Sequence, residues 1–129
     1  MSLQKPDDAL AGPIRSAIWS DLELNAMIGN GNWLGSLWYN AGDADKPTLH
    51  IRDLACCPAE AGYYCEFILF RDGGPVKVFQ ELAPDELHCK ADFERDPENK
   101  TAWQVKHRPP RPTGGHSQTS MTCEPAKSN

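Results

Sequence analysis

The chain has 129 residues, 13 Lys and Arg against 18 Asp and Glu for a formal net charge of −5, 40% hydrophobic residues, 11 Pro, 10 Gly and 5 Cys. That length suffices for one domain with its own core, so neither a metal nor a cross-link is required for folding. Apolar runs of at most four or five residues exclude a membrane-spanning helix, and no basic stretch followed by an apolar run opens the sequence. An acidic body without a Lys/Arg stripe excludes the electrostatic footprint of nucleic-acid binding.

Pro13 predicts the first turn of a helix over 13–28, with Ile14, Ala17, Ile18, Leu22 and Leu24 at a loose three-to-four spacing before Gly29-Asn30-Gly31-Asn32. From Trp33 the period reads as two, and turn residues recur at short intervals. Strands are expected at 33–38, 48–57, 63–71, 76–82, 87–94 and 101–107, each too short and too polar on one side for a sheet buried on both faces. An antiparallel meander with a helix on one face satisfies these constraints. Residues 1–107 form this single domain. From Arg108 to Asn129 the chain is rich in Pro, Gly and Ser without periodicity and reads as a tail. Residues 1–105 carry a net −8 and the remainder +3.

Alternation assigns the faces. Leu49, Ile51, Ala55 and Cys57 share one parity, as do Tyr63, Cys65, Phe67 and Leu69; Val76, Val78 and Leu82; Leu87, Cys89, Ala91 and Phe93; and Trp103, Val105 and His107. These sets are expected to face the helix. The opposite parity carries His50, Arg52, Lys77, Glu81, His88, Lys90 and Asp92, as a solvated face does. Leu54, Ile68, Phe70 and Phe79 depart from it and predict an apolar stripe on the outer face, the mark of a partner surface, a subunit interface or a site covered by other parts of the chain.

Adjacent strand residues point to opposite faces, so only one of Cys56 and Cys57 can meet Cys65, and parity selects Cys57. Cys89 then requires a partner in an oxidised protein; either a tail folding back supplies it with Cys123, or Cys123 dangles in a disordered tail. The fifth cysteine stays unpaired or pairs between chains. Five cysteines point to an oxidising compartment, periplasmic or extracellular, with the cytoplasm as the alternative. Cys57, Cys65, Cys89 and His107 share one end and one face of a meander, which raises a zinc site of three thiolates and an imidazole. Strands about 4.8 Å apart place Cys65 and Cys89 about 10 Å from each other, too far for one tetrahedral centre, so no metal and no cofactor is expected. A nucleophilic Cys89 and His107 pair lacks an orienting third group. Gly29-Asn30-Gly31-Asn32 follows a helix instead of leading into one, the reverse of a phosphate-binding turn.

An N-terminal helix on a curled antiparallel sheet resembles, in outline alone, the cystatin-like and nuclear-transport-factor-like families; the resemblance carries no site residues. The leading expectation is an exported, non-catalytic binding or accessory domain that meets a protein partner or a second copy through Leu54, Ile68, Phe70 and Phe79. The alternative is a small-ligand or enzyme pocket between helix and sheet, lined by Phe67, Phe93, Trp103 and His107.

Overall fold

The computed structural model describes residues 2–41, 48–78, 80–109 and 117–126. Within them the chain is an α+β protein, in which an N-terminal helix packs against an antiparallel sheet. Helix α1 spans Asp8–Ile28 and α2 spans Trp33–Ala41. The strands are β1 Leu49–Ala59, β2 Gly62–Arg71, β3 Val76–Val78, β4 Glu81–Ala83, β5 Glu86–Arg95, β6 Trp103–Val105, β7 His107–Arg108, β8 Gln118–Thr119 and β9 Thr122–Pro125. The main sheet runs β1-β2-β5-β6, with β9 also paired to β5; β3-β4 and β7-β8 are separate two-stranded ladders.

Helix α1 begins five residues before Pro13, because the Asp7 carboxylate accepts the Leu10 N–H at 3.0 Å and caps the first turn. Pro13 therefore lies inside the helix and forfeits the bond that residue 13 would donate to Ala9. Ile14, Ala17, Ile18 and Leu22 form the buried stripe, joined by Asp21 and Asn25.

The segment expected as a strand at 33–38 is helix α2. Leu34 and Trp38 lie four apart, and Asn32 caps the helix by accepting the Gly35 N–H at 3.1 Å. Trp38 is fully buried and stacks on Trp19 with ring centroids 6.2 Å apart. Beside it Arg71, also buried, donates to the Trp38 carbonyl. Burial lowers the Arg71 pKa, an effect that the nearby Asp85 charge opposes.

A bulge in β1 corrects two expectations. The register pairs Ile51 with Leu69 and Arg52 with Ile68, then shifts by one to pair Ala55 with Glu66 and Cys56 with Cys65. Asp53 takes up the extra residue at φ 57°, in the left-handed region. Parity inverts beyond it. Leu54 turns inward at 5% exposure instead of joining an outer stripe, and Cys56, not Cys57, bonds to Cys65. Ala55 and Cys57, expected inside, are half-buried on the opposite side, and Cys57 is the free thiol.

The strand expected at 76–82 is the β3-β4 hairpin, with Val76 opposite Ala83, and its Leu82 is exposed instead of facing the helix. Ile68 pairs with Arg52 on one side and His88 on the other. Phe79 lies outside the described residues.

The boundary after residue 107 also requires correction. Residues 117–126 return to the body: β8 pairs with β7, β9 pairs with β5 through Leu87↔Pro125 and Cys89↔Cys123, and Met121 between them is fully buried. Cys89 and Cys123 are bonded. Thus β6 and β9 share one edge of β5, each covering part of its length.

Candidate functional site

The turn between the two helices begins at Gly29, whose φ of 68° ends α1 in the left-handed conformation that glycine adopts without a Cβ penalty. One buried side chain organises the rest. Asn25 Oδ1 accepts the N–H groups of Asn30 at 3.0 Å and Asn32 at 3.4 Å, while its Nδ2 donates to the Asn32 carbonyl at 2.6 Å. The Asn30 carbonyl accepts the Thr119 N–H at 2.8 Å, tying the turn to β8. Gly31 stands at φ 106°, a conformation that glycine adopts without strain, and a Cβ there would displace the Gln118 side-chain amide. The glycine and asparagine string is therefore a rigid helix-to-helix corner.

Asp21, one turn before Asn25, is the polar hub beneath this corner, its side chain only 4% exposed. Its Oδ1 accepts from His107 Nε2 at 2.6 Å and from Asn30 Nδ2 at 3.4 Å, and its Oδ2 accepts from Thr119 Oγ1 at 2.6 Å. Three donors from three parts of the chain thus satisfy a buried carboxylate, the condition under which burial of charge is tolerated. The arrangement also sets the histidine tautomer. A carboxylate only accepts, so Nε2 carries a proton, and in the neutral imidazole Nδ1 presents its lone pair. Ser117 Oγ stands 3.2 Å from Nδ1 and donates to it in that neutral form.

His107, with its side chain 21% exposed, also lines an open cleft of about 490 Å³ between α1 and β6. Ala17 and Leu24 of α1 and Trp103 of β6 supply apolar walls, and Asp21, Glu94 and Asp96 supply carboxylates; among the described residues no Lys or Arg lines it. Trp103 is held edge-on to Tyr63 at 5.5 Å, with the Arg95 guanidinium 4.8 Å from its ring centre.

Above the hub lies an apolar corner. Leu24, Met27 and Ile28 are exposed on the last turns of α1, and Trp33 on the first turn of α2. The three α1 positions are three and four residues apart and flank the buried stripe, a spacing already present in the sequence. Asp21 had a signal as well, as an acid at core spacing between Ile18 and Leu22.

The structure separates the other expected site residues. Of the proposed pocket lining, Phe67 and Phe93 are core side chains exposed by no more than 2%, so the space between helix and sheet is filled there; Trp103 and His107 face the lateral cleft. Cys89 is bonded to Cys123 and is no partner for His107. Of the outer stripe, Ile68 and Phe70 are half-buried on the outer face. Arg52 lies 4.5 Å over the Phe70 ring and His50 stacks on it at 6.5 Å, so polar neighbours already cover it. His50 and His88 lie on the solvated face beside Asp72 and Glu66, at 2.7 and 3.2 Å.

No protein-family model, curated protein or solved structure matches this chain.

Proposed function

We propose that the chain is an exported, disulfide-braced binding domain that receives an apolar, basic-rimmed surface of another protein on the corner of Leu24, Met27, Ile28 and Trp33. The observation that carries this reading is the exposure of Met27 and Trp33, 74% and 62%, on the helix ends either side of a turn locked by buried asparagines. Large apolar groups on a pre-organised support lose little conformational entropy on docking, and their burial contributes about 1.5–3 kcal/mol each. The charge of the chain selects the partner. At −5, two copies repel each other, whereas a basic rim meets the carboxylates beside the corner with attraction. Two disulfides support an oxidising compartment.

A photo-crosslinking residue at position 33, with a control at Lys77, tests this in extracts of the compartment that holds the protein. The reading expects a discrete adduct from position 33 alone, mapping to an apolar partner peptide flanked by Lys or Arg and lost on Met27→Asp. Adducts joining two copies of the chain, or equal labelling from position 77, overturn it.

A further inference from the structure

Beyond docking, we infer that Asp21, His107 and Ser117 form an acyl-transfer site in which Ser117 is the nucleophile, His107 the general base and Asp21 the positioning residue. The three come from α1, β7 and the residue preceding β8. Folding places them in a single hydrogen-bonded series of 2.6 and 3.2 Å. The direction of that series is fixed at its buried end. Asp21 accepts a hydrogen bond from the Nε2 N–H, so with the imidazole neutral the serine hydroxyl donates to Nδ1, the orientation in which a base activates a nucleophile. Thr119 and Asn30 hold the carboxylate from its other sides, so the imidazole plane is fixed by groups outside the reacting series.

The reaction these groups support is ester cleavage. Ser117 Oγ attacks the carbonyl carbon while its proton passes to His107 Nδ1, and Asp21 stabilises the resulting imidazolium. The tetrahedral intermediate collapses with rupture of the bond to the alcohol oxygen, which leaves with the Nδ1 proton. Water then attacks the acyl-serine, giving a proton to Nδ1 that returns to Ser117 Oγ as the carboxylic acid departs. His107 and Asp21 line the cleft between α1 and β6, and Ser117, 3.2 Å from His107 Nδ1, adjoins it; the cleft walls indicate the substrate class. Leu24, Ala17 and Trp103 suit an apolar group, and a wall of Asp21, Glu94 and Asp96 repels anions, so the substrate is a neutral or cationic carboxylic ester and not a phosphodiester.

The test uses the oxidised full chain with p-nitrophenyl acetate and p-nitrophenyl butyrate, following phenolate release and the position of the acyl group by peptide mass mapping. The site predicts acylation of Ser117. It also predicts a fall in release of about a hundredfold in both Ser117→Ala and His107→Gln, with Ser16→Ala on the exposed face of α1 unchanged. His107→Gln keeps an N–H donor for Asp21 and removes the base. Near-UV circular dichroism establishes that each variant is folded, and Ser117→Ala leaves the Asp21 and His107 bond in place, so it decides the matter if the histidine variant does not fold. Release that is unchanged in Ser117→Ala, or acyl groups confined to lysines, overturns the assignment while leaving the docking corner untouched.

Discussion

Thr119 Oγ1 donates to Asp21 Oδ2 at 2.6 Å across 98 residues of sequence, and the same hydroxyl accepts the Met121 N–H at 3.1 Å. One small side chain therefore joins the first helix, β8 and the buried methionine. Thr119→Val keeps the shape and removes both bonds, leaving a buried carboxylate with one donor fewer. The expected loss is about 1.5–3 kcal/mol, read as a lower urea midpoint at unchanged slope. Thr119→Ser, which retains the hydroxyl, is expected to lose about 1 kcal/mol or less.

The bulge at Asp53 makes Leu54 a core residue and leaves Ile68 on the outer face. Leu54→Ala is expected to cost about 2–5 kcal/mol, and Ile68→Ala, half-buried, about 1 kcal/mol. Equal losses in the same denaturation series would mean that β1 runs without its bulge.

The two disulfides close loops of different length, with sequence separations of 9 and 34. Loop-closure entropy puts the loss of Cys56 to Cys65 at about 3 kcal/mol and of Cys89 to Cys123 at about 4 kcal/mol. Paired serine variants measure each. Thiol titration of the unfolded protein is expected to find one reactive group before reduction, Cys57, and five after it.

Tyr64 is the phenol that resists ionisation, its pKa pushed up to about 12, first by burial and then by its hydrogen bond to Glu66 at 3.0 Å. The neutral form is the one that folding favours. The contribution is complete below about pH 10, the unfolded value, and disappears as pH rises toward about 12. Absorbance titration should show one tyrosine ionising near the upper value. Glu66→Gln should lower it only in part, because burial is the larger cause, and Tyr64→Phe should lose less stability over this alkaline interval than the parent protein.

Alternation alone identified the long strands and the inward set Cys65, Phe67, Leu69, Leu87, Cys89, Ala91 and Phe93, because a sheet with one solvated face writes its period of two into the chain. Where backbone geometry broke the period, pattern reading failed. Asp53 is an ordinary polar residue by composition, and only its positive φ reveals that the faces invert after it. Trp33 to Tyr39 carries aromatic residues common in strands, yet the Asn32 cap and the burial of Trp38 make it helical. Trp103 and His107 were legible as site candidates from parity. Asp21 offered only an acid at core spacing and Ser117 no signal, since their significance arises from contacts 86 and 10 residues away in sequence.

The return of residues 117–126 across β5 also orders the assembly of the molecule in time. During synthesis α1 and the turn after it emerge first, with Asp21 Oδ2 and the Asn30 carbonyl lacking their Thr119 partners, and β5 follows with its far edge open beside Leu87 and Cys89. Neither is completed until Thr119, Met121 and Cys123 have been made. Long-range closure of this kind comes late and slowly. The nascent chain therefore stays incompletely packed through most of its synthesis. Formation of the Cys89 to Cys123 bond then locks the last segment onto the finished sheet.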